Sequence, residues 1–276
     1  MSDFPWNTRI VIMGAGDRGT AAALRLFHSG FHPLMLELSQ PTDLHFNRTF
    51  SDVIYCERKT VEKVEAVAVV PSADETVLNK QIQECLDNRQ VPVINKQDFK
   101  ENEIVSTLHP EILIDCSRKI SKTPDAEFVW HMIPCVIRIG FAQTVGVDGH
   151  YVIGDVQSYC GMVFNTRQQI PLENHAADSI FKSPLAGIFQ TEKRIGDPVQ
   201  EREVIGKLND INIMAPYTGY ITGLLHSGHF VSARQPLFEL LRYQKSRELL
   251  SILPVNCRAI AGGILEAVLN FLSAKL

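Results

Sequence analysis

The stretch Arg9-Ile-Val-Ile-Met-Gly-Ala-Gly-Asp-Arg-Gly19 decides how the N-terminal part of this chain folds. Its first five residues are mostly apolar and β-branched, which predicts a short strand over 9–13. Three glycines follow at the spacing Gly-x-Gly-x-x-Gly, and residues 20–29 have the apolar spacing of a helix that ends before another glycine. A second predicted strand, 33–38, carries Glu37 roughly 20 residues beyond the glycines. The order strand, glycine turn, helix, strand predicts a Rossmann-like unit.

Each glycine of this turn has a physical role in binding a dinucleotide. Gly14 makes the tight turn, Gly16 leaves room for a pyrophosphate, and Gly19 lets the helix pack closely on the strands. The turn amides and the positive end of the helix dipole favour an anion, and Glu37 is suited to accept hydrogen bonds from a ribose. Alternatively, the glycines serve packing alone and Glu37 is a solvated residue at a strand end. The candidate cofactor-binding residues here are Gly14, Ala15, Gly16, Asp17, Gly19 and Glu37.

Further strands and a helix follow along the N-terminal half. Apolar runs predict strands over 64–70, 91–94 and 112–115, and residues 73–88 have the pattern of an amphipathic helix. This alternation predicts a mostly parallel sheet with helices on its faces, and such sheets bind ligands beyond the carboxyl ends of their strands. Asp115 is therefore a further candidate cofactor-binding residue, unless its loop is an ordinary polar one. The neighbouring polar candidates are Cys116, Ser117, Arg118 and Lys119.

The C-terminal half contains an internal repeat. Residues 183–208 align with residues 215–240 at an offset of 32 positions. Each half begins with a Pro-x-x-Gly turn and continues as short alternating strands, so two interlocked halves predict a β-rich barrel like those of biotinyl and lipoyl carrier domains, with its core at 180–242. The identical pairs are Pro184/Pro216, Gly187/Gly219, Gly196/Gly228, Val199/Val231, Arg202/Arg234 and Leu208/Leu240.

The repeat lacks the features of a cofactor carrier. Leu208 occupies the position of the lysine that a carrier modifies, and the hairpin around it is short. Lys207 is one residue away, but a shift of one residue in a strand moves a side chain to the opposite face. We therefore expect no biotin or lipoate. We also expect no metal, because His226 and His229 have no third ligand near them in the sequence.

The last apolar segment predicts a C-terminal helix over 258–274. It carries the pair Gly262-Gly263, and a glycine in a helix interior costs about 1 kcal/mol relative to alanine, so we expect close packing or a ligand there. We hypothesise that this helix folds back on the N-terminal unit and that Arg258 reaches the phosphate-binding turn, where a guanidinium can pair with two oxygens. Alternatively, Arg258 only begins a terminal helix. The predicted domains are 1–150, Rossmann-like, and 151–276, the barrel plus this helix.

Composition excludes several classes of protein. The chain has 276 residues, of which 45% are apolar and 21% charged, and a net charge of −4, so it resembles a globular protein without a basic surface for nucleic acids. The N-terminus lacks the pattern of a signal peptide, and apolar runs are shorter than a membrane span requires. The six cysteines are widely spaced. We expect a cytoplasmic protein with reduced thiols and no contact with membranes or nucleic acids.

Several of these segments together resemble one family. They are Gly14-Ala-Gly-Asp17, Leu24-Arg-Leu with Gly30-Phe31, Glu37 with Pro41-Thr42, the Ser183 to Leu240 repeat, and Arg258-Ala-Ile-Ala-Gly-Gly-Ile-Leu-Glu-Ala267. The chain is similar to the YqeB family of accessory proteins for selenium-dependent molybdenum hydroxylases, whose Rossmann unit resembles that of xanthine dehydrogenase accessory proteins. It departs from the family pattern at His45, at 116–122, after Gly140-Phe141 and at Glu239-Leu-Leu-Arg242.

The resemblance implies a maturation factor for a molybdenum hydroxylase client, which binds a molybdopterin-type or other nucleotide-containing cofactor at the glycine turn. One alternative is an NAD-dependent oxidoreductase of unknown substrate, for which Lys119, Lys122 and His45 are the candidate acid/base groups. Another is a non-catalytic scaffold whose barrel and C-terminal helix bind a client enzyme. The sequence leaves open whether the chain is an enzyme, which ligand it binds and its oligomeric state.

Overall fold

The computed structural model describes residues 6–70, 72, 74–96, 106–117, 132–140, 144–166 and 179–276. The chain divides into two compact units. The first comprises Met1–Pro41, Thr49–Asn174 and Leu253–Leu276, and the second comprises Thr42–Arg48 and His175–Ile252. This division differs from the predicted boundary at residue 150, because residues 151–174 and the C-terminal helix belong to the first unit and the segment Thr42–Arg48 belongs to the second.

The first unit is built on one sheet that is mainly parallel. Its strands are β1 (Ile10–Met13), β2 (Leu34–Glu37), β3 (Arg58–Val61), β4 (Val64–Val69), β5 (Val91–Asn95), β6 (Ile112–Asp115), β7 (Cys135–Ile139), β8 (Tyr151–Ile153) and β9 (Val163–Phe164). They lie in the order β3-β4-β5-β2-β1-β6-β7-β8-β9. The strands from β4 to β8 are parallel, while β3 and β9 are antiparallel edges. A parallel-rich sheet agrees with the sequence prediction, although β3, β7, β8 and β9 were not predicted.

The order of the strands changes direction beside β1. On one side of β1 the chain forms β2, goes on to β3 and β4 at the edge, and returns to form β5 between β4 and β2; it then continues on the other side with β6, β7 and β8. The loops that follow β1 and β6 therefore leave the sheet next to each other. In open α/β sheets, ligands bind at such a point, outside the carboxyl ends of the strands.

The helices are α1 (Asp17–His28), α2 (Val53–Cys56), α3 (Glu75–Asp87), α4 (Arg247–Leu250) and α5 (Val255–Ser273). The predicted helix after the glycine turn exists, and it begins three residues earlier than expected. After the last helical residue, His28, and the C-cap Ser29 comes Gly30, which has a φ of 92°. The amide of Gly30 donates to the carbonyl of Phe27, and that of Phe31 donates to Leu26. This pair of bonds is a Schellman motif and explains the glycine.

Helix α5 shares a hydrophobic core with α1 and the sheet, and Ile260 and Ile264 are fully buried in it. Burial of one such side chain stabilises a fold by roughly 1.5–3 kcal/mol, so α5 is an integral part of the first unit. The prediction that this helix folds back onto the N-terminal unit agrees with this packing. Gly263 allows it, because a Cβ there would lie 2.2 Å from the carbonyl oxygen of Gly161. Gly262 has open space around its Cβ position.

Among the described residues, the stretch Glu248–Ser273 is the only one that is long and apolar enough to cross a membrane, with a mean hydropathy of 1.5. In the most apolar 18 residues of this stretch, 44% are buried inside the chain. The core helix of a soluble protein has the same length and composition, and the packing of α5 on α1 fits that case. The cytoplasmic location stays a prediction.

The second unit consists of two four-stranded antiparallel sheets that share one core. Its strands are β10 (Ile180–Lys182), β11 (Gly187–Gln190), β12 (Pro198–Val199), β13 (Val204–Leu208), β14 (Ile211–Met214), β15 (Gly219–Leu224), β16 (His229–Val231) and β17 (Pro236–Leu241). The sheets have the orders β10-β17-β15-β12 and β14-β13-β11-β16. An offset of 32 residues converts each strand of one sheet into the strand at the same place in the other.

The 32-residue repeat predicted from the sequence therefore has a structural counterpart. Arg202 and Arg234 both have left-handed backbones, with φ of 64° and 66°. The amide of Arg202 donates to Ala215 in the other half, and the amide of Arg234 donates to Ser183, each at 2.8 Å. Because the two bonds are equivalent and reciprocal, the halves are interlocked and related by a pseudo-twofold axis.

Segment 42–48 belongs to this second unit. Leu44 is buried in its core, and the carbonyl oxygen of Leu44 accepts a 2.7 Å hydrogen bond from the amide of Leu224. A Cβ at Gly223 would lie 3.1 Å from the Cβ of Leu44 and 2.9 Å from a ring nitrogen of His45. The glycine in β15 thus gives the segment room to lie on the sheet.

Candidate functional site

The glycine turn between β1 and α1 is built as the sequence predicts. Gly14 has a φ of 88°, in the left-handed region where glycine is favoured, and its amide donates to Leu36 at 2.8 Å. A Cβ on Gly19 would lie 1.8 Å from the carbonyl oxygen of Gly14, so only glycine fits this position. Both residues bring the start of α1 against the end of β1.

The N-terminus of α1 is open to an anion. Gly16 precedes the helix with an extended backbone, and among the described residues no side chain caps it. Asp17 is the first helical residue, and the amide of Thr20 makes the first bond of the helix, to the carbonyl oxygen of Gly16. The first amides of a helix have no partner within it, and together with the helix dipole they attract negative charge.

Glu37 lies at the end of β2 and holds the turn in place. Its side chain is buried, with the residue 6% exposed. One carboxylate oxygen accepts the amide of Ala15 at 2.6 Å, and the other accepts the amide of Leu38 at 2.6 Å. The carboxylate therefore occupies the first amide of the glycine turn. An anionic ligand would therefore have to bind at the later amides, at the start of α1.

Asp115 lies at the end of β6, next to the glycine turn, and it is also buried. Its Oδ1 accepts hydrogen bonds from the amide and hydroxyl of Ser117, and its Oδ2 accepts one from Arg138 at 3.2 Å. Burial raises the pKa of Asp115, and the bonds from Ser117 and the charge of Arg138 offset this only in part. A Cβ on Gly14 would lie 3.4 Å from the Ser117 amide nitrogen, so the two loops contact each other.

Cys116 follows Asp115 in the loop after β6 and is buried. Burial together with the charge of Asp115 raises the pKa of its thiol well above the ordinary range. Cys116 is therefore a neutral packing residue and a poor nucleophile. The other candidates beyond Ser117, which are Arg118, Lys119 and Lys122, lie outside the described residues.

Two charged residues of this edge were not predicted. Arg18, in the first turn of α1, pairs with Asp155, which follows β8. The other carboxylate oxygen of Asp155, Oδ1, is buried and has no hydrogen-bond partner among the described residues. A buried acceptor without a donor costs free energy, so a ligand hydroxyl or N–H would be stabilised there. Arg138 was not predicted either, although it lies within the apolar strand β7 and a charge within such a run was an available signal.

The structure gives Arg258 a partner that was not predicted. Its guanidinium makes a two-bond pair with the carboxylate of Glu62, at the turn between β3 and β4, and 44% of its side chain is exposed. It lines a cleft of about 170 Å³ beside Arg25 and His28, in the later turns of α1. Arg258 therefore pairs with Glu62, and its contribution to a site at the Gly14 turn stays a prediction.

His45, a candidate acid/base group, belongs to the second unit. Its Nε2 lies 3.1 Å from Oε2 of Glu239, which also accepts from Thr222 at 2.8 Å. Burial alone would raise the pKa of Glu239, but hydrogen bonds from His45, Thr222 and Ser179 and the charge of His45 lower it to about 2. Two positions at which the chain departs from the family pattern, His45 and Glu239, thus contact each other.

The positions of the repeat that bear on modification or metal binding are also defined. Leu208 is fully buried in the core of the second unit, whereas Lys207 is exposed on the opposite face of β13. The absence of biotin and lipoate stays a prediction. The ring of His226 packs on Phe46 with centroids 4.1 Å apart, and it lies 5.9 Å from the ring of His229. Burial and then the charge of His226 lower the pKa of His229.

Comparison with known proteins adds one sequence relative. This chain is similar to YqeB of Escherichia coli. The protein, described as uncharacterized, is 28% identical over 271 residues, which cover 94% of this chain and 47% of YqeB. The match supports the predicted relationship to YqeB. The chain spans about half the length of this curated relative. A scan against protein-family models gives no match.

Solved structures give only weak similarity. A structure of TcdA (CsdL) is 16% identical, with a TM-score of 0.29, and covers 50% of this chain and 53% of its own. An aspartoacylase family protein from Mesorhizobium loti is 15% identical, with a TM-score of 0.23, and covers 82% and 61%. Scores this low support no statement about fold or function.

Proposed function

We propose that this chain is an accessory factor in the maturation of a selenium-dependent molybdenum hydroxylase, and that it binds a molybdopterin-type or other nucleotide-containing cofactor at the Gly14–Gly19 turn. The observation that carries the proposal is the construction of this turn. Gly14 has a positive φ, Gly19 lies under the Gly14 carbonyl, and α1 begins beside the point where the strand order reverses. This geometry supports the proposal that the turn binds phosphate as Rossmann-like turns do.

The charged residues near the carboxyl ends of the strands fit such a cofactor in a specific way. A phosphate is favoured at the amides of the first turn of α1, because Glu37 already accepts the amide of Ala15 and would repel a phosphate beside it. A hydroxyl or N–H group of the ligand is favoured at the buried Oδ1 of Asp155. Ribose hydroxyls and the pterin ring both supply such donors. The chain's own groups therefore bind and orient the ligand.

The charge of Glu37 also predicts which nucleotide the site prefers. If the ligand contains an adenosine ribose, a 2′-phosphate near this carboxylate would be disfavoured. Two unit charges about 4 Å apart repel by roughly 4 kcal/mol at an effective dielectric of 20, which is at most about a thousandfold in affinity. We therefore expect NAD-type ligands to bind more tightly than their 2′-phosphorylated counterparts.

The client enzyme is proposed from the family resemblance, which the match to YqeB supports at the level of sequence. A maturation factor has to hold its cofactor without consuming it. The candidate site fits that requirement, because its buried carboxylates, Glu37 and Asp115, are held by hydrogen bonds from amides, a hydroxyl and a guanidinium. These groups bind and position a ligand.

The test is to identify what the protein carries. We expect the chain, purified from bacterial cells, to release a pterin- or nucleotide-containing molecule on heating, detected by mass spectrometry. A Gly16→Val variant that retains its circular dichroism spectrum should lose it, and should bind NAD⁺ and cytidine diphosphate at least tenfold more weakly in calorimetry. Gly262→Ala, with open space at its Cβ, is the matched control.

The outcomes separate the proposed role from its rivals. Co-purification of a molybdenum hydroxylase together with the small molecule supports the accessory role. Nucleotide binding without any molybdenum enzyme would favour the oxidoreductase. A client enzyme without a bound small molecule would favour the scaffold, and equal affinities of wild type and Gly16→Val would contradict a site at the turn.

A further inference from the structure

The two sheets of the second unit are related by the internal repeat, but their outer faces differ. On the sheet β10-β17-β15-β12, segment 42–48 binds beside β15, because the carbonyl oxygen of Leu44 accepts the amide of Leu224. His45 hydrogen-bonds to Glu239 there, and the missing side chain of Gly223 gives the segment room. The chain itself therefore shows one way in which an extended segment binds to a sheet of this kind.

On the sheet β14-β13-β11-β16, the equivalent positions are exposed. The 32-residue offset places Lys207 where the first sheet has Glu239, and Gln190 where it has Thr222. Lys207 and Gln190 are cross-strand neighbours and both are exposed. Whereas Glu239 pairs with His45, Lys207 makes no ion pair with a described residue. The charge at this position is thus reversed between the two sheets.

Exposed apolar side chains lie on either side of Lys207 on this outer face. Ile188 and Phe230 are directly opposite each other on neighbouring strands and are 47% and 61% exposed. Val204 and Met214 form a second exposed pair across β13 and β14. The row of Gln190, Lys207 and Asn212 lies between these two pairs, so the face presents a charged centre with an exposed apolar pair on each side, which fits an interaction surface. We name the surface of Ile188, Phe230, Val204, Met214 and Lys207 the open face.

We propose that the open face binds an extended segment of a partner protein that presents a carboxylate to Lys207 between two apolar side chains. Charge complementarity defines this partner, since the sheet with the carboxylate Glu239 binds a segment with a histidine between Leu44 and Phe46. Thr191 stands where the first sheet has Gly223, so a partner segment lacks the room at this position that Gly223 gives to segment 42–48.

The test uses the chain's own segment as the probe. A labelled synthetic peptide of residues 40–50 with His45→Glu has a carboxylate between Leu44 and Phe46, and the peptide with the unchanged sequence is its control. In fluorescence anisotropy we expect the full chain to bind the glutamate peptide about threefold more tightly than the histidine peptide. In Lys207→Glu this preference should reverse. Lys182→Glu, an exposed lysine on the other sheet, should leave it unchanged.

A second set of measurements distinguishes binding to the open face from attraction of the peptide by charge alone. Phe230→Ser should weaken binding of both peptides, and hydrogen exchange should be slowed over 187–190 and 204–214. Equal affinity for both peptides, no binding, or protection elsewhere would overturn the proposal. A dimer of the full chain that Phe230→Ser dissociates would also overturn it, because the occupant would then be a second copy.

Discussion

Two carboxylates, the buried Asp115 in the first unit and the half-buried Glu239 in the second, have opposite electrostatic environments. Asp115 accepts from Ser117 and Arg138, yet its pKa is raised because burial outweighs these contacts. Glu239 accepts from His45 and two hydroxyls, and its pKa is lowered to about 2 in spite of burial. The second unit uses its carboxylate to fix a chain segment. In the first unit, the charged form of Asp115 is disfavoured at the carboxyl end of a central strand. A carboxylate with a raised pKa at such a place is typical of a binding site.

The largest expected effect is a loss of stability, and it should differ between Gly19 in the first unit and Gly223 in the second. Gly19→Ala places a Cβ 1.8 Å from a backbone oxygen, which the turn relieves only by moving, so we expect a loss of about 3 kcal/mol or more. In Gly223→Ala the new Cβ meets the side chains of His45 and Leu44 at 2.9 and 3.1 Å, which can shift. Urea unfolding of both variants gives the free energies. A smaller loss for Gly19→Ala than for Gly223→Ala would show that the turn tolerates a side chain at position 19.

The next prediction concerns the pH dependence of the second unit. Because the pKa of Glu239 is lowered to about 2 from 4.5 on folding, its stabilisation is complete above pH 4.5 and is lost as the pH falls toward 2. We expect a decrease of at most about 3 kcal/mol over this range. Neither tryptophan belongs to the second unit, so amide hydrogen exchange of residues 204–241 is the suitable measurement. In Glu239→Gln the acid-induced decrease should be much smaller.

A prediction of opposite sign applies to the first unit. Since folding raises the pKa of Asp115, its contribution to stability is greatest at low pH and is lost as the pH rises through the raised pKa. Asp115→Asn should therefore remove a decline in stability with rising pH. Urea unfolding followed by the fluorescence of Trp6, in the first unit, measures this between pH 4 and 6. Glu239→Gln should leave this slope unchanged, and equal slopes in wild type and Asp115→Asn would contradict the assignment.

Local signals in the sequence account for the parts of the site that were predicted. The spacing of Gly14, Gly16 and Gly19 reflects backbone conformation and contacts within a few residues, which a sequence pattern records directly. The repeat was predictable for the same reason, since its turn residues recur at equivalent φ angles. Glu37 was placed correctly at the strand end, but its bond to the Ala15 amide depends on how two strands pair.

Contacts between distant segments account for the parts that were not predicted. Segment 42–48 has no periodicity, so nothing in it indicates that Leu44 enters the core of the second unit. The pair of Arg18 and Asp155 joins residues 137 positions apart. Arg138 did carry a signal, because a charge within the apolar run Cys-Val-Ile-Arg-Ile requires a buried partner, and Asp115 ends the neighbouring strand.

The smallest expected effect tests whether Arg258 belongs to either charged region. Its pair with Glu62 is exposed, and exposed ion pairs contribute at most about 1 kcal/mol. We therefore expect Arg258→Ala to lower the free energy of unfolding by less than this amount and to leave ligand affinity at the Gly14 turn unchanged. Arg138→Met, which leaves Asp115 buried without its cation, is the contrasting variant and should be far more destabilising. A tenfold loss of ligand affinity in Arg258→Ala would return this residue to the site, since the pair with Glu62 would then have to open when the ligand binds.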